Sequence, residues 1–431
     1  MDPTVPRRIR QLDFSCNSER LEYFLRAFDS NPPSNASSIR LQITPRNALP
    51  VPRDHLASFL PFSFPQLSKL DFGNLRPDPS SPLLTTSNLT SLKLCTSDGA
   101  GPPYTLAQLS EILQKHPNLR ELDLKGATAP QAESREAPVP LVLPQLADLS
   151  LCSTSSCILG IINLIDMSSP LHNVVLHFHY PSNHDIPVLV SATKEILAAY
   201  YECEGLGHPR KANYLSVVLP RRIDQDHLVI TARSCSAPTP SPQPTLELRF
   251  DRTDHPLDVL QLFPLIDTQE FIAEGLDLSP TGYHTILQKM GGVSRLELSR
   301  LKIGPVLAAL KPSNWGTSKR ATGTLLWITY TCAGEPAQQF IPKLVSLTLD
   351  GLDFLSGVGD LLDVLEERCK HNIGLELLVV SRCRVRGVGG ASQFKKLVKE
   401  VKWVDVEEMG LNRRGSGGLA WSCFAYGDYH Y

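Results

Sequence analysis

What this 431-residue chain lacks narrows its class before anything it contains. It has no long apolar run. The most apolar stretch, Ile158 to Ile165, is far short of the roughly 20 residues that span a bilayer. No apolar segment follows Arg7, Arg8 and Arg10, so the N-terminus does not read as a signal peptide. Net charge is nearly absent, at -2 from 42 basic and 44 acidic residues spread along the chain, which leaves no overall field to draw nucleic acid or an acidic membrane. The ten cysteines stand singly, and the closest pair, Cys152 and Cys157, has neither C-x-x-C spacing nor a matching second pair. The expectation is a soluble protein of the cytoplasm or nucleus, with reduced thiols and with neither membrane nor nucleic acid as a partner.

Catalytic signatures are missing too. Gly387-Val388-Gly389-Gly390 follows a strand-like run but is neither G-x-G-x-x-G nor a Walker loop, and no G-x-S-x-G elbow is present. His116 reads as the end of a helix, where a cationic side chain suits the dipole, rather than as a base. The reading is therefore no enzyme and no cofactor.

What is present is a repeat. Pro117-Asn118-Leu119-Arg120-Glu121-Leu122-Asp123-Leu124 has the form P-x-L-x-x-L-x-L. Three more segments match it with Leu or Phe last, beginning at Pro65, Pro144 and Pro342. About 0.2 such matches are expected from this composition by chance, so the template is real. Looser copies begin at Ile9, Leu89, Leu171, Val293 and Leu375. First leucines at 67, 89, 119, 146 and 171 are spaced like the roughly 20 to 29 residues of a leucine-rich repeat. The L-x-L core is a short strand burying alternate residues, and the remainder of each repeat returns the chain to the next strand.

The returns read as helices. Leu106, Leu109, Ile112 and Leu113 share one face behind a Thr105 cap, as do Leu21, Phe24, Leu25 and Phe28 behind Ser18. Val188 to Tyr201, Asp360 to Cys369 and Gln393 to Glu400 behave similarly, and Leu257, Leu260 and Leu262 read as a helix face. Arg76 to Pro82, Ala127 to Pro140 and Ser234 to Pro244 read as mobile connectors. The fold class is thus α/β: one right-handed β/α solenoid over residues 1–431, with the parallel sheet on the concave side, helices on the convex side and an irregular insertion at 205–256.

Irregular repeat lengths, P-x-L-x-x-L-x-L entries and proline-rich interruptions resemble the C-terminal portion of F-box proteins of the fungal type. The resemblance runs from about Ile9 to Trp403. It implies a substrate receptor of a cullin-RING ubiquitin ligase, docked through an F-box on a Skp-type adaptor. The template here begins at Ile9 and no L-P-x-E-like opening stands elsewhere, so that adaptor is expected only if an F-box exists outside this chain. The family's asparagine or cysteine three residues past the last template leucine is matched by Asn17 and Cys383. Leu75, Ser97, Ala127 and Thr154 replace it elsewhere, so those turns must satisfy their backbone groups differently.

The functional content is expected on the concave face, in the residues between the buried leucines. These are Lys69, Asp71, Lys93, Glu121, Asp123, Lys125, Asp148, His177, Arg295, Glu297 and Asp350. Such a strip is polar and mixed in charge, which suits recognition of a protein partner by electrostatic selection. The expected function is a non-enzymatic interaction scaffold of the substrate-receptor kind, with a repeat-only structural or adaptor protein as the alternative. Two further clusters read as solvated surface. His177 and His179 share a strand face as a metal pair could, but no third ligand is identifiable and no metal site is expected. Arg382, Arg384 and Arg386 with Lys395, Lys396, Lys399 and Lys402 form a basic patch.

Overall fold

A computed structural model describes residues 9–17, 20, 21, 23, 35–43, 64–75, 77–85, 88–96, 104–128, 140–166, 171–179, 214–218, 227–233, 245–251, 257, 260, 265, 268–311, 341, 343–354, 358–386 and 391–409. They form a mixed α/β structure of largely parallel sheet and helices in two compact units. Unit 1 is Met1–Arg210 with Thr239–Thr253, and unit 2 is Lys211–Pro238 with Asp254–Tyr431.

The first strands are β1 (Gln11–Cys16), β2 (Ser38–Ile43), β3 (Lys69–Gly73), β4 (Ser91–Cys95), β5 (Glu121–Lys125), β6 (Leu141–Val142), β7 (Asp148–Ser153), β8 (Ile165–Asp166) and β9 (Asn173–Phe178). The chain then forms β10 (Tyr214–Val218) and β11 (His227–Arg233), which belong to unit 2, before β12 (Thr245–Asp251) rejoins unit 1. Within unit 1 the order β1-β2-β3-β4-β5-β7-β9-β12 is parallel throughout. The pair β6-β8 makes a separate short ladder.

The template explains this register. Leu70 and Phe72, Leu92 and Leu94, Leu122 and Leu124, Leu149 and Leu151, and Val174 and Leu176 are at most 1% exposed, and the residues between them face away from the core. The template proline opens a tight turn whose fourth residue is the first leucine. Leu67 N–H donates to Phe64 O, Leu119 to His116 O, Leu146 to Leu143 O and Leu344 to Ile341 O, at 3.0 to 3.3 Å. Proline suits the second position of such a turn because its φ is already set and its missing N–H is not needed there. The next residue's carbonyl then accepts two N–H groups of the following rung: Ser68 O from Thr90 and Ser91, Thr90 O from Arg120 and Glu121, and Arg120 O from Ala147 and Asp148.

Past each strand one residue turns the corner, and this is how rungs without the family's asparagine satisfy their backbone. Its N–H donates to a carbonyl at the end of the next strand: Asn74 to Cys95 O, Thr96 to Lys125 O and Gly126 to Cys152 O, at 2.6 to 2.8 Å. Asn74 and Gly126 take positive φ, 58° and 60°, to do so. At Cys383 the thiol does act inward, reaching Leu349 O and Ser381 O at 3.4 and 3.1 Å.

The returns are α1 (Pro82–Thr85), α2 (Leu106–Gln114) and α3 (Ser155–Leu164). Thr105 caps α2 as its sequence predicts, in a reciprocal box with Gln108 at 3.0 and 3.2 Å. Two expectations are corrected here. His116 is fully buried, not a surface cation, and its Nε2 donates to Leu84 O at 2.8 Å, joining α2 to α1. Within the Arg76 to Pro82 connector, Pro77 is pinned rather than mobile, because the buried Tyr104 hydroxyl donates to Pro77 O at 2.6 Å.

Unit 2 continues with β13 (Glu270–Glu274), α4 (Pro280–Lys289), β14 (Arg295–Ser299), α5 (Ile303–Leu310), β15 (Ser346–Asp350), β16 (Asp353–Phe354) and α6 (Gly359–Lys370). It closes with β17 (Leu377–Ser381), β18 (Arg384–Arg386), α7 (Ala391–Leu397), β19 (Glu400–Val404) and β20 (Glu407–Met409). Its sheet runs β11-β10-β13-β14-β15-β17-β19, with β10 antiparallel to β11 and parallel to β13, and β16-β18-β20 form a second parallel ladder. The helix expected at Gln393 to Glu400 ends at Leu397. Val398, 3% exposed, starts another rung in which Glu400 opens β19. The expected helix at Val188 to Tyr201, the Gly387 to Gly390 turn, residues Phe24, Leu25, Phe28 and Leu262, and most of the other two connectors lie outside the described residues. Among the described residues no helix is long and apolar enough to cross a membrane.

Candidate functional site

In each unit the face opposite the buried leucines is open, and the eleven expected partner-binding residues lie on one or other of these two faces. Lys69 and Asp71 stand on β3, Lys93 on β4, Glu121, Asp123 and Lys125 on β5, Asp148 on β7 and His177 on β9, all in unit 1. Arg295 and Glu297 on β14 and Asp350 on β15 belong to unit 2 and are described apart from them.

Parallel register turns the unit 1 residues into three rows across the strands. The middle row reads Asp13, Arg40, Asp71, Lys93, Asp123, so acid and base alternate from strand to strand. Neighbouring strands lie about 4.8 Å apart, close enough for each base to reach an acid on either side. Arg40 does so, 3.6 Å from Asp13 and 3.3 Å from Asp71. Lys93 pairs diagonally with Glu121 at 2.5 Å, and Ser91 donates to the other oxygen of Glu121 at 2.8 Å. On the next rungs Asn173 donates to Asp148.

These contacts set the ionisation of the strip. Burial pushes the Asp71 carboxyl up, against the pull of Arg40 and Lys93. The hydrogen bond that Lys93 donates to Glu121 raises the Lys93 ammonium. Burial alone would raise Glu121, but the hydrogen bonds from Lys93 and Ser91 outweigh it and leave the carboxyl below its ordinary value. In the third row the Cys95 thiol is pushed up to about 11, first by burial and then by Asp123 and Asp71. It stays protonated at neutral pH.

In unit 2, Arg295 meets Glu270 at 2.9 Å, and Asp350 is gripped by both arms of Arg382. Alternation in the sequence places Arg382 on one strand face with Arg384 and Arg386, but in the structure Arg382 is not on a strand. It sits at the corner after β17 with φ of 50°, Arg384 on β18 pairs with Glu407 at 3.2 Å and Lys402 on β19 with Glu400 at 3.2 Å, so three members of the basic patch are engaged with acids.

The structure also assembles a cluster that sequence reasoning left incomplete. Cys152 and His177 are register partners on β7 and β9. The Cys152 Sγ lies 3.3 Å from His177 Nδ1 and 3.1 Å from His179 Nε2. Cys152 comes from the preceding rung, 25 positions before His177, so spacing along the chain gives no C-x-x-H cue. The signal that would have found it is the repeat itself, since aligning the rungs puts 152 beside 177. His172 stands at the start of the same rung and His184 lies outside the described residues.

Among solved structures the chain is similar to a leucine-rich-repeat protein of Leptospira interrogans, at 12% identity over 93% of this chain and 97% of that one, with a TM-score of 0.28. No family model matches, and no curated protein does. The rungs are leucine-rich-repeat-like by their own geometry: a turn, a buried L-x-L strand in parallel register and a corner residue bonded to the next strand.

Proposed function

We propose that this chain is a non-enzymatic protein-interaction scaffold of the cytoplasm or nucleus, each unit a stretch of right-handed leucine-rich solenoid, and that the open face of unit 1 takes a protein partner. The alternating row Asp13, Arg40, Asp71, Lys93, Asp123 carries this reading. Exposed pairs stabilise a fold by about 0–1 kcal/mol each. The row therefore adds little to stability, while it presents a fixed sequence of charges that a partner has to match in register. Strands hold those charges more rigidly than loops do.

Within that reading, the resemblance of the P-x-L-x-x-L-x-L segments to the repeats of F-box proteins supports a role as substrate receptor of a ubiquitin ligase, with any F-box lying outside this chain. The two levels separate experimentally. A photo-crosslinking residue at Asp123 should trap a protein partner in cells, whereas one at Glu111, exposed on α2, should not. Equal yields from the two sites would remove the open face as the docking surface. Co-purification of a Skp-type adaptor with the native full-length protein tests the ligase role, and its absence would leave the scaffold alone.

A further inference from the structure

We propose that Cys152, His177 and His179 bind a zinc ion on the open face of unit 1. The donor set is one sulfur and two imidazole nitrogens, which suits a borderline-soft d10 ion better than magnesium or calcium. All three ligand atoms lie within 4.8 Å of one another. In a tetrahedral site with Zn–S of about 2.3 Å and Zn–N of about 2.0–2.1 Å, the sulfur-to-nitrogen edge is about 3.6 Å. The two edges here are 3.3 and 3.1 Å, so a few tenths of an ångström of outward movement would admit the ion. The rings stand 4.7 Å apart and tilted by 46°, which turns one nitrogen of each toward the same sulfur instead of stacking the two faces.

The scaffold is well suited to hold that geometry. Cys152 and His177 sit on neighbouring paired strands, and His179 N–H donates to Ser153 O at 2.9 Å, so the ladder extends one residue past β9 and fixes the second histidine. Cys152 is buried and the two rings are half-buried, which shields the thiol and leaves solvent access on the histidine side. Lys125 on β5 and Arg249 on β12 flank the pair in register.

A thiol has one hydrogen to donate, so without an ion the sulfur donates to one ring and accepts an N–H from the other. With zinc all three become lone-pair donors. The Cys152 Sγ–H proton goes to solvent, both imidazoles stay neutral, and water takes the fourth position. The ion then ties β7 to β9 at the end of the strip.

The test uses the full chain, stripped with chelator and titrated with Co(II), whose colour reports its ligands. One equivalent should produce a thiolate-to-cobalt charge-transfer band and intense tetrahedral d–d bands, both erased by Zn(II). Cys152→Ser, nearly isosteric, should abolish the charge-transfer band, and His179→Gln should weaken binding at least tenfold. Zn(II) should raise the Tm of the parent protein and not that of Cys152→Ser. Failure of the parent protein itself to give the charge-transfer band, with its far-ultraviolet dichroism intact, would overturn the site whatever the variants do. A band that persists in Cys152→Ser would place the metal on another cysteine and overturn it equally.

Discussion

The middle rows of the two open faces differ in kind. In unit 1 that row alternates acid and base over five consecutive strands, from Asp13 to Asp123. In unit 2, over the five strands from β13 to β19, it reads Ile272, Glu297, Thr348, Val379, Lys402, with apolar side chains at two of these five positions. The cores behind them are built alike, from paired apolar residues in parallel register. Core pattern therefore does not dictate the outward row. Where one scaffold carries two different outward patterns, the pattern is the part free to specialise. The corners differ as well. Unit 1 turns them with Asn74 and Gly126, while unit 2 places Arg300 and Arg382 at positive φ beside Gly275 and Gly351. Each of those arginines meets an acid of its own sheet, Glu274 at 2.9 Å for Arg300 and Asp350 for Arg382. The ion pair there accompanies a backbone conformation that glycine adopts without strain.

The largest effect expected from this comparison is in the core. Leu122→Ala, at a fully buried position in the middle of unit 1, should cost about 2–5 kcal/mol by urea denaturation. Val401→Ala, in the half-buried core position of β19, should cost clearly less, because less apolar surface is returned to water. Equal losses would mean that unit 2 is closed beyond β19 as tightly as unit 1 is at its centre.

The corner effect comes next. A Cβ on Gly126 would sit 2.6 Å from Thr96 O at a φ of 60°, so Gly126→Ala should cost about 1–3 kcal/mol. Arg300→Gly should leave the denaturation midpoint unchanged or raised, since relief of the φ of 52° offsets loss of an exposed ion pair. A large loss there would show that Arg300 holds its corner through more than the Glu274 contact.

A smaller effect concerns Cys95. The folded state binds its thiol proton more tightly than the unfolded chain does. The resulting stability is complete below the ordinary thiol value of 9.0 and is lost as pH rises to about 11. Iodoacetamide at pH 8 should accordingly label Cys95 roughly tenfold or more slowly in the native protein than in urea, read by peptide mass spectrometry. Equal rates would place Cys95 outside the acidic middle of the strip.

Much of this was legible in the sequence, and the exceptions share causes. Rungs with leucine at the core positions are visible as P-x-L-x-x-L-x-L, and their strands follow. The rung at Ala36, Ile39 and Leu41 is equally buried but escapes a leucine template, as does the one at Thr268, Phe271 and Ala273. Burial asks for volume and apolarity, not for leucine, so small and aromatic residues trade places across neighbouring rungs. Val398, Val401 and Trp403 form the last rung in the same way, without leucine, so the sequence reads as helix through Glu400. His116 misled because a helix-end histidine looks solvated until the neighbouring Leu84 carbonyl is in place. All eleven strip residues could be assigned from alternation alone, since period 2 fixes the face once the leucines are inside. The alternation over Asp71, Lys93 and Asp123 follows from the template as well, whereas its extension to Asp13 and Arg40 needs β2, whose Ile39 and Leu41 escape a leucine template.

The most direct test of the central claim is the affinity of the partner trapped at Asp123 for a protein with both acids of β5 reversed in charge. Glu121→Lys with Asp123→Lys replaces two half-buried acids, and should lower stability by about 0.5–3 kcal/mol per residue while the protein stays folded, and raise the partner's Kd at least tenfold. The matching change in unit 2, Glu297→Lys, should leave the Kd within twofold. Unchanged affinity in the folded Glu121→Lys, Asp123→Lys protein would contradict the assignment of recognition to this face.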